Sequence, residues 1–230
     1  MPRFSRGLVR AVPDRAGAAA EIAAGFLLLR RFFDRNEQAQ LIEACQAVAR
    51  AAPFITPTMA DGRPFRVAMT NAGEWGWLSD RAGYRYARCH PATGATWPAP
   101  PAPLAAAVRR ALEAALGEPA AAQFHPQCYL INRYPAEGGR LGLHRDEDER
   151  DRRQPIVTLS LGAAAVFLAG GATRKDRVAR VAVESGDALI MSGPGRMAYH
   201  GIDRLLPSLS PLTGDGSRLS VTVRRVDPEP

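Results

Sequence analysis

The chain has 230 residues, of which 46% are hydrophobic and 23% charged, so it is long enough for one domain with a buried core, and wholesale disorder is excluded. The formal net charge is +7, and Lys175 is the only lysine among 30 cationic residues. Three cysteines, Cys45, Cys89 and Cys128, form no CxxC pair, and no apolar run reaches the roughly 20 residues of a bilayer span. These features argue against a disulfide framework, a zinc finger and a transmembrane helix, and they favour a reducing, cytoplasmic location.

The basic charge has two interpretations on composition alone. It reflects either a proteome-wide bias towards arginine and alanine or a basic surface that attracts a polyanion. Composition does not choose between them.

The N-terminal segment, residues 1–20, shows no sustained hydrophobic period and is predicted to be a flexible arm, with residues 21–230 forming a single domain. The apolar run at residues 26–29 is a candidate short strand.

A first helix is predicted after this strand. Asp34 and Glu37 have the spacing of a capping box, and apolar residues then recur at helical spacing to about Ala52. Pro53 ends the pattern.

Residues 54–100 are rich in glycine, proline and aromatic residues, including all three tryptophans. A stretch of this length without a clear period predicts loops and short strands that act as a lid or binding surface. A second helix is predicted within residues 98–119, where prolines precede a stripe of leucine and valine and a Gly-Glu-Pro sequence ends it.

Short strands are predicted over residues 127–226, separated by Gly, Pro and Asp. The strand segments are CYLINRY, QPIVTLSL, AVFLAG, RVARVAV, DALIMSG and RLSVTVRR. Because no helical run lies between them, the predicted fold class is α+β, with two helices packed on one side of a double-stranded-sheet roll. The run DEDERDRR (146–153) is predicted to be a loop, which by itself fits a solvated face.

Two of the four histidines, His90 and His125, fit ordinary surface or loop positions. His144 ends a predicted strand and Asp146 follows two residues later, so both side chains are expected on one face of an extended segment. His200 lies 56 residues after His144, in a predicted strand segment GRMAYHG, and a roll brings such strands together. Two imidazoles and a carboxylate on one face are the facial triad of non-haem Fe(II) sites. An HxD pair alone is weak, because it is frequent by chance.

Arg218 and Arg224 are six residues apart on one predicted strand, and this even spacing places them on one face of it. Asn132 and Tyr134 are two residues apart on a different predicted strand and also share a face. Arginine binds carboxylates bidentately, so these residues are candidates for holding an acidic cosubstrate beside the metal. Surface charges on a strand edge are the alternative.

The combination of segments resembles the AlkB-type Fe(II)/2-oxoglutarate-dependent dioxygenases, which reverse alkylation damage in nucleic acids. The matching segments are AMTNAGEWGW (68–77), GYRY (83–86), LINRY (130–134), LGLHRDEDE (141–149), PIVTLSLG (155–162), AYHGI (198–202) and RLSVTVR (218–224). They occur in family order over about residues 25–225. The resemblance implies a double-stranded β-helix (jelly-roll) core over 127–226, two supporting helices and a nucleotide-recognition lid over about 54–100.

The resemblance also implies roles for individual residues. The implied iron ligands, which are also the catalytic centre, are His144, Asp146 and His200. The implied contacts to 2-oxoglutarate are Asn132, Tyr134, Arg218 and Arg224. The implied contacts to the substrate nucleotide are Trp77, Tyr84, Asp148 and Arg174. Two features depart from the family pattern. Ser220 stands where an asparagine is usual, and its shorter side chain is expected to rearrange the cosubstrate network. The lid segment 55–66, with Met59 and Arg63, matches the family poorly, so the resemblance leaves substrate preference open.

The implied activity is oxidative demethylation of bases such as N1-methyladenine and N3-methylcytosine, with Fe(II) as metal and 2-oxoglutarate and O2 consumed to succinate, CO2 and formaldehyde. The implied partner is alkylated DNA, single- or double-stranded, or RNA, and a monomer without membrane attachment is expected. Two alternatives are a dioxygenase that acts on a protein side chain or small molecule, and a nucleic-acid-binding module without catalysis. The intact set of three ligands and Arg218 argues against the last.

Overall fold

The computed structural model describes residues 18–207 and 212–227. The helices are α1 (Arg35–Ala51), α2 (Ala102–Leu116) and α3 (Glu118–Gln123), and a 3-10 helix spans Gly193–Met197. The strands are β1 (Ala19–Ala23), β2 (Phe26–Leu29), β3 (Ala68–Gly73), β4 (Gly76–Asp80), β5 (Gly83–Ala87), β6 (Cys128–Tyr134), β7 (Leu141–His144), β8 (Ile156–Gly162), β9 (Ala165–Ala169), β10 (Ala179–Val183), β11 (Ala188–Met191), β12 (His200–Leu205) and β13 (Arg218–Arg224). None of these helices has the length and apolar character needed to cross a membrane.

The strands form two main sheets and one hairpin. The large sheet has the order β1-β2-β11-β8-β13-β6-β3, the small sheet has the order β10-β9-β12-β7, and β4 pairs with β5 alone. Neighbouring strands are antiparallel throughout, and strands from distant parts of the chain alternate in both sheets. This arrangement is the expected double-stranded β-helix.

Two hydrophobic clusters hold these layers together, because successive side chains of a strand point to opposite faces. On β6, for example, Leu130 packs in the cluster between the two sheets, whereas Ile131 packs against the helices. The helices contribute Leu41 of α1 and Leu104 of α2 to the second cluster. The predicted position of two helices on one side of the roll is therefore confirmed.

The start of α1 has the predicted capping box. The Asp34 carboxylate accepts a hydrogen bond from the Glu37 backbone N–H at 2.9 Å, and the Glu37 carboxylate accepts one from the Asp34 backbone N–H at 2.9 Å. The helix ends one residue before Ala52, which is close to the predicted end.

The N-terminal boundary of the fold differs from the prediction. Strand β1 begins at Ala19, within the segment predicted as an arm; residues 1–17 lie outside the described residues. An alanine-rich segment has little intrinsic strand propensity, but pairing with β2 across a turn at Gly25, where φ is +74°, stabilises it.

Three further predictions about elements need correction. Strand β3, inside the predicted lid, is an edge strand of the large sheet and pairs with β6 along its whole length. The segment before His200 is a 3-10 helix, and His200 itself begins β12. The loop 146–153 is not simply a solvated face, because Asp146, Glu149 and Asp151 are buried.

Candidate active site

The three predicted metal ligands meet where β7 and β12 pair. His144 and His200 are direct cross-strand partners, and Asp146 lies two residues beyond the end of β7. One ligand atom from each residue lies within 4.8 Å of the others. The Asp146 carboxylate oxygens are 3.7 Å from His144 Nε2 and 3.8 Å from His200 Nε2. The structure thus brings the predicted set together.

Both imidazoles present Nε2 to the same point. The Nδ1 atom of His144 is 2.9 Å from the Gly142 carbonyl oxygen, and that of His200 is 3.1 Å from the Ala198 carbonyl oxygen. A carbonyl accepts a hydrogen bond, so Nδ1 carries the proton and Nε2 keeps its lone pair. Burial, followed by the charge of His144, lowers the pKa of His200 to about 4, so that residue is neutral at pH 7. This donor set fits a divalent iron.

The carboxylate of Asp146 is held by Arg224. Nη2 and Nε of Arg224 donate to one Asp146 oxygen at 2.6 and 3.1 Å. Burial by itself would raise the pKa of Asp146, but Arg224 and the two imidazoles outweigh it and hold that pKa well below its usual value. Asp146 is therefore an ionised ligand at neutral pH.

Arg218 lines the same cavity and forms no ion pair with the residues that the structure describes. Its side chain is among the largest that are fully buried, and its Nη2 donates to the Ser160 hydroxyl at 2.9 Å. Nε and Nη1 have no hydrogen-bond partner within the described residues, and the guanidinium lies 5.2 Å from the centre of the Tyr134 ring. Burial of a cation with unpaired donors is costly unless an anion joins it. The carboxylate of a bound ligand fits this requirement.

The remaining predicted cosubstrate contacts surround Arg218. Asn132 and Tyr134 are buried on β6 and line the same cavity, and Asn132 Oδ1 has no hydrogen-bond partner in the described part of the chain. Ser220, the departure from the family pattern, is paired in register with Asn132 on one side and Ser160 on the other. It also lines the cavity.

A cavity of about 230 Å³ connects these residues with the β4–β5 hairpin. Trp77 of β4 and Tyr84 of β5 line its outer part, with ring centroids 5.5 Å apart, and Tyr84 is 56% exposed. Trp77 Nε1 donates to the Asp148 carboxylate at 2.9 Å. Burial raises the pKa of Asp148, against the effect of that hydrogen bond. The apolar rings and the carboxylate therefore lie beside the triad in one chamber.

Arg174 lines the mouth of the cavity from the β9–β10 connection. Its guanidinium lies over the Tyr199 ring at 5.1 Å, and that of Arg145 lies 5.4 Å from the same ring. The cation–π contact holds the Arg174 guanidinium in place while leaving its N–H groups able to bind an anion. The Arg145 guanidinium, in contrast, is already paired with Glu147.

A buried polar network behind the metal ligands was not predicted. Glu149 accepts a hydrogen bond from the Tyr86 hydroxyl at 2.6 Å and pairs with Arg196 at 3.0 Å and Arg224 at 3.3 Å. In the sequence, Glu149 is one acid in a charged run and gives no signal of burial. Its position depends on contacts between irregular segments, which periodicity does not reveal.

Comparison with known proteins agrees with this geometry. A profile of the 2OG-Fe(II) oxygenase superfamily matches residues 25–224. The alpha-ketoglutarate-dependent dioxygenase AlkB homolog of Caulobacter vibrioides is 43% identical over 205 residues, which covers 89% of each chain. The DNA N(6)-methyladenine demethylase ALKBH1C of Arabidopsis thaliana is 27% identical over 206 residues, or 83% of this chain and 44% of that one. The solved structure of OsALKBH1 has a TM-score of 0.76 and 29% identity and covers 90% of this chain and 99% of its own.

The chain therefore belongs to the 2OG-Fe(II) oxygenase superfamily and is an iron- and 2-oxoglutarate-dependent dioxygenase. Within that superfamily it is a member of the AlkB dioxygenases, which confirms the resemblance found in the sequence. Its cofactors are Fe(II), 2-oxoglutarate and O2.

Proposed function

We propose that this dioxygenase repairs nucleic acids by oxidative demethylation of N-alkylated bases of the N1-methyladenine and N3-methylcytosine type. One observation carries the proposal: the cavity that holds the triad is closed on its outer side by Trp77 and Asp148, an aromatic face and a carboxylate joined at 2.9 Å. A methylated base of this type is flat and cationic, so it matches both groups. The name of the Arabidopsis relative, a DNA N(6)-methyladenine demethylase, supports the removal of a methyl group from a nucleic-acid base.

We assign the ligands as follows. His144, Asp146 and His200 hold the iron. The distal carboxylate of 2-oxoglutarate pairs with Arg218, and Asn132 and Tyr134 complete its pocket. When bound, iron, 2-oxoglutarate and O2 supply the oxidising chemistry that releases the methyl group as formaldehyde and leaves succinate and CO2. Arg224 orients Asp146 through its two hydrogen bonds to one carboxylate oxygen, and it also lines the cosubstrate pocket.

The chain positions the base with its own side chains. Trp77 stacks on the extruded ring, and Tyr84, which is largely exposed, packs beside it at the entrance. Asp148 balances the charge of the lesion, and a cationic neighbour favours its ionised form. Arg174 contacts the backbone phosphate at the mouth of the cavity. A damaged base pair costs less to open than an intact one, so extrusion itself favours the lesion.

The proposal extends to the state of the protein. We place it in the cytoplasm as a monomer, acting on alkylated DNA in single- or double-stranded form and on RNA. Three cysteines that are all free thiols support a reducing compartment. The nucleotide-recognition part of the single dioxygenase domain is the β4–β5 hairpin with its flanking loops, and the jelly roll carries the chemistry.

The decisive experiment is anaerobic reconstitution with Fe(II) and 2-oxoglutarate, followed by O2 and an oligonucleotide that contains N3-methylcytosine. We expect formaldehyde and unmodified cytosine, with an unmethylated oligonucleotide of the same sequence as the control. His144→Ala should abolish turnover. If 2-oxoglutarate consumption is indifferent to the oligonucleotide and is instead stimulated by a protein or metabolite, the alternative dioxygenase function is correct.

The aromatic contact has its own test. Trp77→Ala should reduce demethylation much more than the slow 2-oxoglutarate turnover seen without substrate. Trp75→Ala is a matched control, because Trp75 is partly buried two residues away but does not line the cavity. Equal losses in the two variants would remove the stacking role from Trp77.

A further inference from the structure

The β4–β5 hairpin and the metal ligand Asp146 are joined by a buried chain of polar contacts, here called the Glu149 network (Tyr86, Glu149, Arg196 and Arg224). One Glu149 oxygen accepts the Tyr86 hydroxyl at 2.6 Å and lies 3.3 Å from Arg224 Nε. The other lies 3.0 Å from Arg196 Nη2. Both carboxylate oxygens thus have partners, and Glu149 is only 3% exposed. Glu149 is unavailable to a substrate but well placed to act through its neighbours.

Arg196 uses all three of its nitrogen groups on the loop that carries Asp146. It donates to the backbone oxygens of Asp146 at 2.8 Å and Gln154 at 3.0 Å, in addition to its pair with Glu149. Arg196 lies in the 3-10 helix four residues before His200. Its guanidinium therefore joins the two segments that bring the second and third metal ligands into place.

At its other end, the Glu149 network reaches the β4–β5 hairpin through Tyr86. Tyr86 is the cross-strand partner of Trp77, so the proposed base-stacking residue and the Glu149 contact are neighbours on one small sheet. The Tyr86 hydroxyl is connected to the carboxylate ligand through three contacts: its own hydrogen bond to Glu149, the pair of Glu149 with Arg224, and the pair of Arg224 with Asp146.

We propose that Glu149 is a positioning residue that couples occupancy of the nucleotide-binding hairpin to the geometry of the metal ligand Asp146, through Tyr86 on one side and Arg196 and Arg224 on the other. This inference depends on the proposed nucleic-acid substrate. A coupling between two sites is reciprocal, so a bound lesion tightens the metal site by the same factor by which the metal tightens lesion binding.

The test measures binding and needs no turnover. Mn(II), a redox-stable substitute, is titrated in the presence of 2-oxoglutarate without O2, and free Mn(II) is followed by electron paramagnetic resonance, with and without an oligonucleotide containing N3-methylcytosine. For the wild-type protein we expect the oligonucleotide to tighten Mn(II) binding by about 5-fold or more. In Tyr86→Phe, which loses only the hydroxyl, this factor should fall to near one while Mn(II) affinity without oligonucleotide stays close to wild type.

Two further variants separate coupling from general damage. Glu149→Gln should weaken Mn(II) binding by about 10-fold even without oligonucleotide, since loss of a partner that orients a metal ligand has effects of this size. Tyr129→Phe removes a hydroxyl from another buried tyrosine, one in the cluster between sheet and helices, and should keep the wild-type coupling. Thermal unfolding of each variant checks that it is folded. If Glu149→Gln does not fold, the Tyr86→Phe variant still tests the proposal.

The possible results distinguish the two proposals. If the wild-type protein binds and demethylates the oligonucleotide but Mn(II) affinity does not respond to it, or if Tyr86→Phe keeps the full factor, the coupling is wrong and the repair function stands. If the oligonucleotide neither binds nor is demethylated, both are wrong.

Discussion

Among single residues, Arg218 gives the clearest indication of a bound anion, because two of its buried nitrogen groups have no partner in the described residues. Arg218→Lys keeps the charge but loses the paired N–H groups that fit a carboxylate. We expect the KM for 2-oxoglutarate to rise by about 10-fold or more, which corresponds to one charged hydrogen bond. Titration of 2-oxoglutarate at fixed Fe(II) measures this.

Arg133→Lys is the matched control for Arg218, since Arg133 lies on the neighbouring strand β6 and its exposed guanidinium pairs with Asp215. Its KM should equal that of the wild-type protein. An Arg218 variant with an unchanged KM would show that the carboxylate of the cosubstrate binds elsewhere.

His200 gives a pH-dependent prediction for the metal-free protein. Its pKa is about 4 in the folded chain, against an ordinary value of 6.5. Between these values the unfolded chain takes up a proton that the folded chain does not, so the contribution of His200 to stability is complete above pH 6.5 and falls as the pH drops to 4. The free energy of unfolding should fall by up to about 3 kcal/mol more in the wild-type protein than in His200→Gln. Urea unfolding at several pH values measures this difference, and a difference independent of pH contradicts the shift.

Periodicity predicts part of the site at this scale, and the resemblance to a known family supplied the rest of the predicted residues. The even spacings of Arg218 with Arg224 and of Asn132 with Tyr134 place each pair on one strand face, and all four line the cavity. Spacing alone does not distinguish the two arginines, whereas the structure does: Arg224 hydrogen-bonds to Asp146, and Arg218 keeps donors without a partner in the described residues.

Among the elements, the turn between β1 and β2 lies against the 3-10 helix that leads to His200. A Cβ on Gly25 would lie 2.3 Å from the backbone nitrogen of Gly195, and the Gly25 oxygen accepts a hydrogen bond from Ser192 N–H at 2.9 Å. Gly25→Ala must therefore displace the 3-10 helix. We expect a loss of about 1–3 kcal/mol of stability from the clash, together with weaker Mn(II) binding.

Gly94→Ala isolates the cost of backbone conformation. Gly94 has a φ of +72°, almost the same as the +74° of Gly25, but a Cβ there would meet nothing within 4 Å. This variant should lose less stability and bind Mn(II) normally. Equal metal affinities in the two variants would show that the 3-10 helix accommodates the methyl group without moving His200.

Helices and strands could be predicted where the local propensity of their own residues favours that structure. Strands β6, β8, β9 and β13 are rich in Val, Ile and Leu and lie within or very near their predicted segments. Strands β1 and β3 are held by pairing partners far along the chain, and α3 follows directly after a glycine that ends α2. Local propensity does not contain such tertiary information.

At the scale of the whole molecule, the charge is unevenly distributed. Residues 101–150 carry six arginines and seven acidic residues, a net charge of −1. The net charge is positive over residues 1–50, 51–100 and 151–230. This acidic part contains Asp146 and Asp148, beside which a cationic metal and a cationic base are proposed to lie. The net positive charge of the rest of the chain favours the approach of a polyanion.

Oligonucleotide affinity should therefore fall as salt rises, with a slope set by the number of phosphate contacts. Arg174→Ala should reduce that slope by about 0.7 for a single strand, the value for one lost contact. Arg109→Ala makes the same charge change on an exposed position of α2, away from the cavity, and should leave the slope unchanged. Fluorescence anisotropy at several salt concentrations measures both, and equal slopes would place the phosphate away from Arg174.

The pairing of His144 with His200 also bears on how the protein stays folded. The two imidazoles are 56 residues apart in the chain and become neighbours only when β7 and β12 pair, so the unfolded chain has no comparable metal site. Iron therefore stabilises the native state by mass action, by about 2.7 kcal/mol at a hundredfold excess over its dissociation constant. The abundance of the folded protein consequently depends on the supply of iron as well as on the sequence.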